Sequence, residues 1–328
     1  MTMLNTGVRK LAALCMGASA MTGAVAQETG YPSRPITVVN GYAPGGPVDT
    51  ETRLYLQKLS EMYGWHFVSD YKAGAGTTIA TAFVARAAPN GYTLQAVNAT
   101  FTIVPNAYKN LTFDVVKDFA PIALMSKKPY MVVINPGLPV TNMKELIAHA
   151  RANPGKINYA SPGSGGIIHL AGEWLHSSTD TQVTFVHYKA AAQVYPDLLS
   201  GTVHEYIASP QGVAGFVKSG KLRLLAVTTA ERTRLFPDTP TVAETLLPEY
   251  DVSTWLGVVA PAATHPTVIA KLNEGFARVA RLPDVAQRFA SEGSISVGST
   301  PEQFRKFIVG ETSRWRKVVQ SANIKFDD

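Results

Sequence analysis

The sequence predicts an α/β protein built in two halves. Three observations carry this. Strand-like and helix-like segments alternate along the chain, the pattern expected where parallel strands are joined by crossover helices. An apolar run feeds a glycine-rich turn that opens a helix, and this happens twice: at Gly41-Tyr42-Ala43-Pro44-Gly45-Gly46-Pro47-Val48-Asp49 and at Ser161-Pro162-Gly163-Ser164-Gly165-Gly166-Ile167-Ile168-His169. The second turn also restarts the order of elements seen after the first.

Residues 36–39 read as a strand and 50–63 as a helix, with Leu54, Leu56, Leu59 and Met62 among its apolar positions. A strand at 66–71 and a helix at 77–88 follow, closed by the turn signal Pro89-Asn90-Gly91. Strands at 93–97, 123–125 and 131–134 and a helix at 142–152 complete the first pass, which stops at Asn153-Pro154-Gly155. The second pass has strands at 156–160, 182–188, 203–208 and 222–228, with helices at 166–178, 193–200 and 212–219. Gly201 suits the end of the helix before it. A strand at 252–260 and helices at 267–281 and 302–321 remain. Those helices need a sheet to pack on. They are expected to return to the first half, which makes two chain crossings and a hinge.

The N-terminus reads as an export signal. Arg9 and Lys10 precede an apolar stretch, and Ala24-Val25-Ala26 is an A-x-A cleavage site, so the mature chain is expected to begin at Gln27. A lipoprotein reading around Cys15 is weak, because bulky Leu14 precedes the cysteine and the apolar stretch ahead of it is too short. Cys15 is the only cysteine, so a mature chain would have no disulfide, thiol nucleophile or cysteine metal site. The expected organisation is a signal peptide at 1–26, one lobe from 27–128 plus 252–328, and a second lobe at 129–251.

The chain has 46% hydrophobic and 16% charged residues, which suits a globular protein with a substantial core. No later apolar run reaches the length of a membrane span. Of the net charge of +6, the signal carries two, leaving a mild excess of +4 that favours small anions. It is too scattered to indicate nucleic acid. The tightest basic cluster, Arg314-Trp315-Arg316-Lys317, reads as a solvated helix face.

A strand that runs through a glycine-rich turn into a helix leaves backbone N–H groups pointing at one spot, where the helix dipole also favours an anion. In the first turn Gly45 and Gly46 allow close approach, and Pro47 fits the first helical position. Asp49 is expected to cap the helix. In the second turn Ser161 and Ser164 add hydroxyls to Gly163 and Gly165. His169 falls in the first turn of the next helix, where a packed histidine is commoner than a ligand contact. Tyr42, inside the first turn, is the favoured aromatic contact; core packing is the default for Phe101, Tyr188 and Trp255.

Other chemistries are excluded by inspection. Neither turn carries a Walker lysine, and neither it nor Gly74-Ala75-Gly76-Thr77-Thr78-Ile79 has the third glycine of a dinucleotide fingerprint. Ser164 lacks the G-x-S-x-G context of a nucleophile elbow. His169 and Glu173 share a helix face, but no further metal ligands fall at recognisable spacing. No cofactor and no metal are expected.

The mature chain resembles, nearly end to end, the Bug family of periplasmic solute receptors that serve tripartite tricarboxylate transporters. The resemblance rests on Tyr31-Pro32-Ser33-Arg34-Pro35-Ile36, Pro44-Gly45-Gly46-Pro47-Val48-Asp49, Ala73-Gly74-Ala75-Gly76, Ala87-Ala88-Pro89-Asn90-Gly91-Tyr92-Thr93-Leu94 and Asp118-Phe119-Ala120-Pro121-Ile122. It continues in Ala152-Asn153-Pro154-Gly155-Lys156, Asn158-Tyr159-Ala160-Ser161, His169-Leu170-Ala171-Gly172-Glu173, Ser219-Gly220-Lys221-Leu222-Arg223 and Pro237-Asp238-Thr239-Pro240-Thr241-Val242-Ala243-Glu244.

The resemblance implies a type II periplasmic-binding-protein fold, a Venus flytrap with two α/β lobes and two crossover strands. It implies a ligand carboxylate held by Tyr42, Gly45, Gly46, Ser161, Gly163, Ser164 and Gly165, with His169 alongside. The chain departs from the family at Ile207-Ala208-Ser209, where an F-D-N-like segment is common, at His187 and Ala190 around Tyr188-Lys189, and at Asn98-Ala99-Thr100-Phe101-Thr102. Ala208 and Ser209 in place of an acid make room, and Phe101 and His187 could add ring surface. The expected ligand is thus a bulky or aromatic mono- or dicarboxylate, such as a phthalate-type ring, with a linear dicarboxylate as the alternative. The implied function is that of a monomeric, non-enzymatic periplasmic receptor delivering its ligand to membrane transporter subunits. Competing readings are a sensing adaptor for a membrane signalling protein and an exported hydrolase or lyase, which lacks a nucleophile–base pair.

Overall fold

The computed structural model describes residues 30–108, 110–322 and 324; the expected signal peptide lies outside them. In chain order the first elements are β1 (Ile36–Asn40), α1 (Pro47–Tyr63), β2 (Phe67–Tyr71), α2 (Thr78–Ala85), β3 (Thr93–Asn98), α3 (Ala99–Ala107) and β4 (Phe119–Pro129). Then come β5 (Met131–Ile134), α4 (Met143–Ala152), β6 (Asn158–Pro162), α5 (Ile167–Ser178), β7 (Thr184–Tyr188), α6 (Val194–Ser200), β8 (Glu205–Ala208), α7 (Pro210–Lys218), β9 (Arg223–Val227) and α8 (Val242–Thr245). The chain closes with β10 (Ser253–Pro261), α9 (Pro266–Ala280), α10 (Pro283–Ser291), β11 (Ile295–Ser296) and α11 (Pro301–Ser321).

Local chemistry sets many of these bounds. Proline occupies the first helical turn of α1, α7, α9, α10 and α11, where its missing N–H is not needed. This is why α1 and α7 begin earlier than apolar spacing alone suggests. Thr300 and Gln303 cap α11 reciprocally. Ile36, Val38 and Val39 of β1 are all buried, as expected of a strand covered on both faces.

The strands form two sheets, in the orders β11-β4-β10-β3-β1-β2 and β7-β6-β8-β5-β9. Both are mixed rather than wholly parallel. In the first, β1 runs parallel to β2 and β3, while β10 is antiparallel to β3 and β4. In the second, β6 is parallel to β7 and β8, while β5 is antiparallel to β8 and β9. The reason is the route of the chain: the strand that leaves the first sheet and the strand that returns must run in opposite directions.

The leaving strand is β4 and the returning strand is β10. They pair from Phe119 opposite Pro261 to Pro129 opposite Ser253. β4 passes through Tyr130 alone into β5. Past the end of the ladder, Thr228 stitches the crossings together. Its N–H donates to Tyr130 O (3.0 Å), and its O accepts from Val252 N–H (2.8 Å). Its hydroxyl accepts from Tyr130 N–H (2.9 Å) and lies 2.6 Å from Val252 O. Thr228 is fully buried.

This connection fixes which ends of the sheets meet. β4 runs parallel to β1 and β3, so the carboxyl ends of all three lie at the hinge edge of the first sheet. In the second sheet Met131, first residue after the hinge, pairs with Ala208, last residue of β8. The carboxyl ends of β6, β7 and β8 therefore also lie at the hinge edge. Both glycine-rich turns follow strands that end there.

Helices cover the faces. α9 and α11 pack on β4, and α1 packs on α9. α5 lies so close to β6 that a Cβ on Gly172 would fall 2.5 Å from Tyr159 Cζ. The Tyr159 hydroxyl donates to Ile168 O at 2.7 Å, propping the start of α5. Trp315 of α11, far from solvated, is fully buried and meets Trp174 of α5 edge-on at 6.3 Å. Arg314 lies over the Trp174 ring at 5.3 Å, while Arg316 and Lys317 are exposed. Apolar spacing missed α3 and α10. Pro105 inside α3 argues against a helix, and only Val285 and Phe289 of α10 are buried.

Replacing Thr228 by valine keeps the shape but leaves the Tyr130 N–H without its acceptor. We expect a loss of about 1–3 kcal/mol in urea unfolding, the cost of an unsatisfied buried amide, and a smaller loss for Thr228→Ser.

Candidate functional site

The first turn follows β1. Gly45 has φ +83°, a left-handed conformation that glycine tolerates best, and Gly46 is extended. The Gly45 N–H donates to Asp49 Oδ2 at 2.8 Å. Asp49 is buried, and it also accepts from the Tyr71 hydroxyl (2.8 Å) and Arg53 Nε (3.0 and 3.1 Å). Burial alone would raise the Asp49 carboxyl. The bonds from Gly45, Tyr71 and Arg53 outweigh it and hold the group below the ordinary aspartate range. Asp49 thus caps the turn, as the sequence suggested, and its charge is compensated by Arg53.

Tyr42 is half-buried, with its hydroxyl 3.0 Å from Asn98 Oδ1 and 2.8 Å from Thr100 Oγ1. Burial pushes its phenol above the usual value, so it stays a neutral donor and acceptor. Asn98 is the N-cap of α3 and also accepts from the Thr100 N–H at 3.2 Å. A third strand–helix junction therefore joins the first turn at the hinge edge. The Asn-x-Thr cap was its only sequence signal.

The second turn follows β6. Gly165 has φ +72°, and its N–H donates to His169 Nδ1 at 3.0 Å. Ser161 is fully buried; its hydroxyl donates to Gly163 O (2.8 Å), and Gly163 N–H returns a bond to Ser161 O (3.1 Å). Ser164 is exposed, and its hydroxyl has no protein partner among the described residues. His169 is 5% exposed. Its Nε2 lies 3.3 Å from Glu173, and its ring meets Phe185 and His187 edge-on, at 5.1 and 4.8 Å.

This geometry gives the surroundings of each residue expected to contact a ligand. The amides of Gly45, Gly163 and Gly165 and the hydroxyl of Ser161 bond within their own turns and so hold the turns in shape. His169 braces the second turn from beneath. Phe101 is 2% exposed and packs edge-on against Phe119 at 5.2 Å, as core. Ala208 is fully buried in the packing of the second sheet. Tyr42, Gly46, Ser164, His187 and Ser209 remain at least partly exposed at the hinge edge. Ser209 precedes α7 without making a side-chain capping bond.

The donors that the glycine motif hides are the first-turn amides. Helix geometry leaves Val48 and Asp49 in α1, and Ile167, Ile168 and His169 in α5, without a carbonyl four residues back. The first turn of each helix thus presents donors and the positive dipole end toward the hinge. Among the described residues no group of three or more His, Cys, Asp or Glu is placed to hold a metal. No helix among them is long and apolar enough to cross a membrane. A solvent-open groove runs along α1 from the first turn, lined by Gly45, Asp49, Thr50, Arg53, Leu54, Gln57 and Arg288.

The lowered Asp49 value carries a pH consequence. A folded-state carboxyl held below its unfolded value contributes stability that is complete above about pH 4 and is lost as the pH falls through the folded value. Asp49→Asn should therefore lower stability at neutral pH and flatten the acid limb of thermal unfolding below about pH 4. An acid limb identical to that of the unaltered protein would contradict this.

Comparison with known proteins matches this architecture. Residues 52–324 match the family described as the tripartite tricarboxylate transporter family receptor. Protein BugT of Bordetella pertussis is 33% identical over 297 residues, covering 90% of this chain and 91% of BugT. Rpa4515 of R. palustris, solved with adipate, is 30% identical with a TM-score of 0.73, over 91% of this chain and all of that one. MatC from Rhodopseudomonas palustris, with bound malate, is 28% identical with a TM-score of 0.69, over 88% of this chain and all of that one. The chain has the two-lobe periplasmic-binding-protein fold and belongs to the tripartite tricarboxylate transporter receptor family, as a solute receptor and not an enzyme.

Proposed function

We propose that this receptor closes its lobes, 27–128 plus 252–328 and 129–251, on a small carboxylate in the periplasm and presents the closed form, as a monomer, to the membrane subunits of its transporter. The observation that carries this reading is the placement of two helix N-termini, each behind a glycine turn, at the hinge-side ends of two sheets. A carboxylate there meets the Val48, Asp49, Ile167 and Ile168 amides, the Gly46 amide and the hydroxyls of Ser164, Tyr42 and Ser209. Closure is favoured because the ligand contacts both lobes only in the closed form.

A linear dicarboxylate is the better-supported ligand. Phe101 and Ala208, which argued for an aromatic ring, are core residues, and two relatives carry adipate and malate. The exposed His187 imidazole keeps an aromatic acid as the second reading, since it offers ring surface beside the second turn.

A thermal-shift panel of succinate, adipate, malate, citrate, glutamate, benzoate and terephthalate tests this. An acid at one hundred times its dissociation constant stabilises the folded state by about 2.7 kcal/mol. We expect a selective rise with a linear dicarboxylate. A selective rise with benzoate or terephthalate would select the aromatic reading, and no rise with any acid would count against the carboxylate reading. Ser164→Ala should weaken the best acid by roughly threefold to tenfold, the loss of one hydrogen bond, without lowering the melting temperature.

A further inference from the structure

The two turns share one geometry although their sequences differ. Gly45 and Gly165 are left-handed at φ +83° and +72°. Gly46 and Gly166, the N-caps, both have φ −74°, with ψ 171° and 165°. In each, the left-handed glycine donates its N–H to a side chain four residues on, at the third position of the helix: Asp49 Oδ2 at 2.8 Å and His169 Nδ1 at 3.0 Å. Both acceptor residues are buried.

The chemistry of the two acceptors is not the same. A backbone N–H can only donate, so His169 Nδ1 accepts, and the ring proton sits on Nε2, toward Glu173 at 3.3 Å. The imidazole is therefore neutral in this arrangement. In the first lobe the acceptor is a carboxylate whose charge is answered by Arg53 at 3.0 Å. Among the described residues no comparable cation is bonded to His169, and the charged or titratable groups facing its ring are Glu173 and His187.

We propose that His169 is a positioning residue, the uncharged counterpart of Asp49, which locks Gly165 in its left-handed form so that Ser164 and the first amides of α5 are aimed before a ligand arrives. The proposal rests on the carboxylate reading only for its effect on affinity; the brace itself stands on geometry. A side chain with an oxygen on Cγ, as Asp49 has, should do the same work at 169. Asparagine supplies that oxygen without charge, aspartate supplies it with a negative charge beneath the anion site, and leucine removes it.

Two measurements test this on the mature chain. The first is amide hydrogen exchange at Gly165 by NMR, which needs no ligand. Protection is expected in the unaltered protein and in His169→Asn, and its loss in His169→Leu. Exchange of Gly165 at the free-peptide rate in the unaltered protein would overturn the brace, whatever the variants do. The second is titration with the panel acid that stabilises the protein most. His169→Asn should stay within roughly threefold of the unaltered affinity, His169→Leu should lose roughly tenfold or more, and His169→Asp should bind more weakly than His169→Asn. Unaltered affinity in His169→Leu would overturn the positioning role. Equal losses in the asparagine and leucine variants would overturn it as well, and would assign the effect to ring packing against Phe185 and His187. If no acid binds, the exchange result still decides the brace, and it is the carboxylate reading that fails.

Discussion

The antiparallel pairing of β4 with β10, and its continuation through Thr228, is the constraint on which the rest of the structure depends. These strands are the routes by which the chain leaves the first sheet and returns to it. Their opposite directions bring the carboxyl ends of β1, β3, β6, β7 and β8 to one edge. Parallel sheets bind ligands at the carboxyl ends of their strands, so the hinge and the site are consequences of the same connection. Thr228 bonds to Tyr130 on one crossing and Val252 on the other, which keeps the two strands together at the point where they must bend.

Within that frame, the site is made by what the turns withhold as much as by what they offer. A left-handed glycine lets the chain turn sharply from strand to helix, but the amide it exposes is at once taken up by a side chain on the helix. The donors left over belong to ordinary residues two to four positions further on. Preorganisation of this kind matters for a receptor that closes, because a turn already held in shape does not have to be ordered by the ligand. The meeting of Trp174 with Trp315 and Arg314 joins α5, which packs on the second sheet, to α11, which packs on the first.

Much of this was legible in the sequence, and the failures have physical causes. Alternating apolar runs located most strands and helices, because burial imposes a period that composition cannot hide. The two glycine turns were visible because glycine is needed where φ is positive. What could not be read was which atoms in a turn are already bonded. Ser161 and Gly165 look like ligand donors by type, and only their geometry shows them bonded inside the turn. Phe101 and Ala208 were singled out by their departure from a family pattern, yet both are buried, and a departure in the core says more about packing than about ligand choice. The α3 junction, with Asn98 and Thr100 beside Tyr42, lacks glycine and contains Pro105, so nothing in its spacing announced a helix.

The central claim is that one anionic group is held at the hinge edge by both lobes. The most direct measurement is a crystal structure with the panel acid that stabilises the protein most. The account predicts a carboxylate within hydrogen-bond distance of the Ser164 hydroxyl and the first amides of α5, with the α1 turn closed onto the same ligand. An acid bound instead along α1 beside Arg53 and Arg288, out of reach of Ser164 and the first amides of α5, with the lobes unchanged, would contradict it.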